Sequence, residues 1–177
     1  MSAETRIAAI VVMGVAGAGK STVGEALAAR LRCDFRDADS FHPPANIAKM
    51  KNGVPLTDED RWPWLAAIAS WIAERRSADR IGVVTCSALK RRYRDVLIGG
   101  QPDVRLVYLK GDIGLIGQRL GARQGHFMPP ALLQSQFDAL EEPTADEAPI
   151  TIAIDAAPDE IVKRIMAALR LPREAPA

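Results

Sequence analysis

The chain has 177 residues, 48% of them hydrophobic and 25% charged, with a formal net charge of +1. That is enough for one domain burying about two-thirds of its unfolded surface without staples. The near-neutral balance gives no bulk electrostatic case for a nucleic acid or membrane partner.

The apolar run from Ile7 to Met13 is too short to anchor a membrane and leads into a glycine-rich loop, not a cleavage site. It reads as a core strand. Next comes Gly14-Val15-Ala16-Gly17-Ala18-Gly19-Lys20-Ser21, which fits G-x-x-x-x-G-K-S. Thr22 to Leu31 follow as a helix, with Val23, Leu27 and Leu31 on its apolar face. Strand, loop and helix in that order are the context a P-loop requires. Glycines let successive backbone N–H groups converge on one polyphosphate, and the helix start adds its positive dipole end. Lys20 is spaced to reach the outer phosphates and Ser21 to ligate Mg²⁺.

Cys33 to Asp37 form a weak second strand. If the chain stays extended through Asp37-Ala38-Asp39, the two carboxylates point the same way. One is then available to Mg²⁺ and the other to the hydroxyl that receives a phosphoryl group; the alternative is an Asp-rich turn capping the next element. Residues 38–62 are charged and proline-rich and read as a mobile insert, with Ile47 and Met50 at helical spacing. His42 is open between structural and catalytic roles. Arg61 breaks the acidic run Asp58-Glu59-Asp60 and is the better candidate for gripping an anion through its planar fork. Trp64, Leu65, Ile68, Trp71 and Ile72 belong to one helix, whose start is expected near Asp60 because Pro63 would interrupt it.

Ile81 to Cys86 form a strand apolar enough to be covered on both faces. Ser87 follows as a possible N-cap for a helix from about Leu89 to Ile98, with Lys90-Arg91-Arg92 as its wet face. Strands at 104–109 and 150–154 complete five, and further helices are expected at about 113–122 and 161–169. Residues 123–149 hold a second mobile insert, with Leu132, Leu133, Phe137 and Leu140 at helical spacing. Arg119 and Arg123, four apart, share a helix face leading into it; on a lid they would neutralise transferring oxygens, and elsewhere they would be solvated. The tryptophans and methionines read as core. Cys33 and Cys86 lack metal-like spacing and read as buried thiols in a reducing cytoplasm.

Strand–helix alternation of this kind implies an α/β protein with a five-stranded parallel sheet between layers of helices, a three-layer P-loop kinase fold. Residues 1–177 are expected to form one domain, with a substrate-binding insert at 38–62, a lid at 123–149 and a loose tail at 172–177. Ligands would gather beyond the carboxyl ends of the strands.

From Ile10 to Asp155 the chain resembles the gluconokinase family of small P-loop sugar-acid kinases. The P-loop alone is unspecific. The distinctive segments are Phe41-His42-Pro43 with Asn46, Lys49-Met50, Gly53-Val54-Pro55-Leu56, Cys86-Ser87-Ala88-Leu89-Lys90 and Gly125-His126-Phe127-Met128-Pro129-Pro130. Ala16 and Ala18 stand where family members often carry Ser, positions a backbone cradle does not need. The resemblance implies ATP-dependent phosphorylation of D-gluconate at its terminal hydroxyl, a nucleoside-monophosphate-kinase-like fold and often a homodimer. It puts Lys20 and Ser21 on the phosphates and Mg²⁺ and Arg119, Arg123 and His126 on the lid; Gly14 to Thr22 with Arg119 are the candidate nucleotide site, and Asp37 or another group completes the Mg²⁺ shell. Asp39, His42, Arg61, Lys90 and His126 fall to the substrate, with Arg61 on the carboxylate. Lys20, Asp39 and Arg123 are the catalytic set. Shikimate or a nucleoside monophosphate is the competing acceptor. A GTP-dependent switch is disfavoured, since the guanine-reading Asn-Lys-x-Asp is absent.

Overall fold

A computed structural model describes residues 6–122 and 129–170. Its strands are β1 (Ala9–Met13), β2 (Asp34–Asp37), β3 (Gly82–Thr85), β4 (Val104–Lys110) and β5 (Ile150–Ala153). All pairings are parallel and the order across the sheet is β2-β3-β1-β4-β5. The helices are α1 (Lys20–Leu31), α2 (Pro44–Lys51), α3 (Asp58–Ser77), α4 (Arg91–Ile98), α5 (Ile113–Ala122), α6 (Pro130–Ala139) and α7 (Pro158–Ala168). Single 3₁₀ turns occupy Ala38–Phe41 and Ala145–Glu147.

The alternation of β1 explains the layers. Ile10 and Val12 face a cluster that includes Val23 and Leu27 of α1, Ile116 of α5, Leu133 of α6 and Ile161 and Ile165 of α7. Ala9, Val11 and Met13 face the opposite cluster, with Trp64, Leu65, Ile68 and Trp71 of α3 and Tyr93 and Leu97 of α4. Both faces of the strand are therefore buried, as a central parallel strand requires. The chain leaves β1 in one direction to reach β2 and β3 and in the other to reach β4 and β5, so the switch in strand order falls at β1. A crevice opens there, beyond the carboxyl ends of the strands.

Five expectations are corrected. Helix α3 starts at Asp58, and Pro63 lies inside it. Pro63 forfeits only the bond to the Glu59 carbonyl, while a reciprocal capping box between Thr57 and Asp60 secures the first turn. The chain does not stay extended past Asp37: it turns into the 3₁₀ segment, because the Asp37 side chain accepts a hydrogen bond from the Asp39 amide. Helix α4 starts at Arg91, so Ser87 is not its cap; Ala88, with φ of 45°, turns the chain between them. Not every tryptophan and methionine is core, since Met50 and Trp62 stand 44% and 38% exposed. Cys86 is buried as expected, whereas Cys33 is half-buried.

Candidate active site

The P-loop joins β1 to α1. Gly19 caps α1 in a left-handed conformation with no side-chain cap, and the first turn of the helix carries no acidic residue. Its leading N–H groups are thus left for an outside anion, with the dipole unopposed. At Gly17 φ is 83°, and a Cβ would come within 2.8 Å of Leu120 on α5, so only glycine fits this corner. Ala16, Gly17, Gly19, Lys20, Ser21 and Thr22 line a cavity of about 310 Å³. Gly14, Val15 and Ala18 shape the loop from behind, with the Val15 and Ala18 side chains in the core.

Across this cavity stand Asp37 and Asp39. The Ser21 hydroxyl donates to Asp37 Oδ2 at 2.6 Å, while Asp37 Oδ1 accepts from the Asp39 amide at 2.9 Å. One serine oxygen beside a carboxylate is the hard-oxygen pair Mg²⁺ takes, so these residues fit the ion. Lys20 Nζ donates to the Val15 carbonyl at 3.1 Å. Burial lowers the lysine pKa from its usual 10.5, and the carboxylates of Asp39 and Asp37 pull it partly back. The Cys86 thiol itself is pushed up to about 12 by burial and stays protonated.

The first insert forms the next wall. His42 stacks on Trp64 at 4.3 Å between ring centroids with the planes 11° apart, and Trp64 Nε1 donates to the Ala38 carbonyl at 2.7 Å. Trp64 is therefore both core and cavity wall. Burial lowers the His42 pKa; Asp39 opposes this and Arg61 reinforces it, which puts all three within electrostatic reach of one another. Arg61 Nη1 is held by the Leu56 carbonyl at 2.7 Å, with the guanidinium 5.7 Å from the Tyr93 ring centre.

Not every expected residue meets at the cavity. His42, Arg61, Lys90 and Arg119 do not line it. Lys90 occupies the N-cap of α4, and Arg119 on α5 donates to the Ile154 carbonyl, beyond β5. Arg123 and His126 lie outside the described residues. Conversely, Thr85, Cys86, Ser87 and Gln136 line the cavity without having been assigned to it. Gln136 Oε1 accepts from the Ala16 amide at 3.4 Å, so α6 of the second insert touches the phosphate loop directly. No spacing rule marks a lone Gln for that role. Thr85 and Ser87 were findable, because they sit at the carboxyl end of a strand beside β1.

An anion cradle opposite carboxylates that can accept a hydroxyl proton is what moving a phosphoryl group onto a small alcohol demands, and on this sheet it defines a P-loop kinase. The sequence pattern of the family described as shikimate kinase matches residues 16–170. A gluconokinase of Gluconobacter oxydans (strain 621H) is 45% identical over 89% of this chain and 88% of its own length. The thermosensitive gluconokinase of Escherichia coli (strain K12) is 47% identical over 77% and 73%. The crystal structure of a gluconokinase from Sinorhizobium meliloti 1021 superposes with a TM-score of 0.84 at 46% identity, covering 93% of each chain. The chain belongs to the gluconokinase family.

Proposed function

We propose that the protein transfers the γ-phosphoryl group of ATP to the terminal hydroxyl of D-gluconate, giving 6-phosphogluconate and ADP. The observation that carries this reading is that Lys20 and Asp39 share one cavity, a cation placed for phosphate and an anion placed for the acceptor hydroxyl. Gluconate as acceptor rests on the gluconokinase relatives, which are identical to this chain at 41–47% of aligned positions.

In this reading the amides of Gly17 to Thr22 grip the triphosphate, and phosphate oxygens replace the Val15 carbonyl as partners of Lys20. Charge on those oxygens offsets the desolvation that lowers the lysine pKa, so nucleotide binding favours the ammonium form. Ser21 and Asp37 hold Mg²⁺, which neutralises phosphate charge when bound. Asp39 accepts the proton of the attacking hydroxyl. His42 and Arg61 orient gluconate, Arg61 on the carboxylate, with Lys90 and His126 alongside. Arg119 and Arg123 bear on the nucleotide as the second insert closes and excludes water. The whole chain acts as one kinase domain, with the two inserts as its moving parts.

The expected setting is the cytoplasm, as a homodimer, without nucleic acid or membrane partners. Two free cysteines support a reducing compartment, and among the described residues no helix is long and apolar enough to cross a membrane.

The shikimate kinase match makes shikimate the acceptor to test beside gluconate. Purified protein with ATP and Mg²⁺ should release ADP with gluconate at a kcat/KM at least about a hundredfold above that with shikimate, since a missing hydrogen-bonded match costs that much or more. ³¹P NMR of the product should show a primary phosphate monoester. Equal rates with both acceptors, or a product phosphorylated elsewhere, would overturn the assignment.

A further inference from the structure

Asn46, on α2, is 3% exposed, one of very few buried polar residues among those described. A buried carboxamide is costly unless its hydrogen bonds are made. Its Nδ2 lies 2.9 Å from the Asp60 carbonyl oxygen. A carbonyl oxygen only accepts, so the atom facing it must be the amide nitrogen, and this settles which way the side chain is turned. The same nitrogen lies 3.3 Å from His42 Nδ1. An NH₂ group has two hydrogens to give and no lone pair to offer, so Nδ1 must bring the lone pair. The neutral ring then carries its proton on Nε2.

From this geometry we propose that Asn46 is a positioning residue that locks His42 in its Nε2–H tautomer, so that the imidazole presents a hydrogen-bond donor to the sugar acid. This rests on the reading above that His42 faces the acceptor substrate. The lock has two parts. Stacking on Trp64 fixes the plane of the ring, and Asn46 fixes its proton. The anchor of Asn46 is itself held, because Asp60 closes the capping box at Thr57 and pairs with Lys49, whose Nζ lies 2.8 Å from both carboxylate oxygens. His42 Nε2 has no hydrogen-bond partner among the described residues, so its proton is available for a ligand.

The tautomer decides what oxygen the site accepts. A donor at Nε2 suits the lone pairs of a carboxylate or a hydroxyl. The opposite tautomer would put a lone pair there, repelling a carboxylate and taking only a hydroxyl proton. A polyol acid has both kinds of oxygen, and the locked donor serves either.

The test is ¹⁵N NMR of the whole protein labelled at histidine. The chain has two histidines, so a His126→Gln sample assigns the His42 signals. At neutral pH His42 should show the Nε2-protonated pattern with and without gluconate. Asn46→Asp places an acceptor beside Nδ1 and should move the proton there. Asn46→Ala should give a tautomer mixture and raise the gluconate KM about 3–10-fold with the ATP KM unchanged, the scale of one neutral hydrogen bond. An Nδ1–H pattern in the unmodified protein overturns the proposal. So does an unchanged Nε2–H pattern in Asn46→Ala, which also decides the matter if Asn46→Asp fails to fold. If the tautomer shifts but neither Asn46→Ala nor His42→Gln alters the gluconate KM, the lock stands and the reading of His42 as a substrate contact falls.

Discussion

The Ser21 hydroxyl and the Asp37 carboxylate meet at 2.6 Å, tying the first turn of α1 to the end of β2. Because the other Asp37 oxygen caps the 3₁₀ turn at the Asp39 amide, one carboxylate shapes the backbone and faces the cavity at once. Asp37→Asn keeps an oxygen for one of these bonds and removes the charge. We expect the Mg²⁺ concentration giving half-maximal rate to rise about 10–100-fold while the fold persists. Mg²⁺ titrations of the initial rate, beside a thermal melt, check this. An unchanged Mg²⁺ requirement removes Asp37 from the metal site.

Lys20 and Asp39 face one cavity but should not weigh equally. Orientation can supply about 7–11 kcal/mol, whereas a general base supplies about 10²–10⁴-fold, roughly 3–5 kcal/mol. Lys20→Ala should therefore collapse kcat, while Asp39→Asn should retain a measurable remnant. Single-turnover rates at saturating ATP and gluconate make the comparison, and equal residual rates would refute the ranking.

Two glycines of the P-loop separate backbone strain from packing. Gly17 and Gly19 have φ of 83° and 89°, but a Cβ on Gly17 would meet Leu120 and Ile116 at 2.8–3.0 Å, while one on Gly19 meets nothing within 4 Å. Gly19→Ala pays only for the left-handed conformation, about 1–2 kcal/mol. Gly17→Ala adds overpacking of about 1–3 kcal/mol against α5. Urea denaturation should therefore find Gly17→Ala the less stable of the two. Equal losses would show that α5 yields to the new methyl group.

Much of this was legible in the chain because local rules and tertiary demands agreed. The G-x-x-x-x-G-K-S run needed only a strand before it and a helix after it, and the five expected strands form to within a residue or two. Reading failed where a side chain overrode the local pattern. Asp37 bends its own backbone, so the alternation that would align it with Asp39 never applies. Pro63 is tolerated because it forfeits a single backbone bond in a helix whose first turn the capping box secures. Met50 reads as core by its apolar type, yet α2 leaves it exposed. Gln136 reaches Ala16 across 120 positions, a contact that periodicity does not encode.

The pair Arg94 and Glu147 gives the last test, far from the chemistry yet joined to it. Arg94 Nε and Nη2 donate to the two Glu147 oxygens at 2.6 and 3.0 Å, with the side chains 1% and 7% exposed. Arg94 Nη1 also donates to the Ala88 and Leu89 carbonyls at 3.0 and 3.2 Å, in the segment that carries Ser87 to the cavity. Burial opposes the Glu147 charge, but Arg94 and the Thr144 amide outweigh it and hold the pKa low. Removing one partner strands the other charge in the core. Arg94→Ala or Glu147→Ala should each cost about 3–5 kcal/mol, whereas Arg94→Met with Glu147→Leu should recover most of that, because a packed apolar pair avoids the desolvation penalty. The double variant would still leave the Ala88 and Leu89 carbonyls without their donor. Its kcat/KM should therefore lag behind its recovered melting temperature. If activity and stability return together, the guanidinium serves the core alone and not the shape of the loop at Ser87.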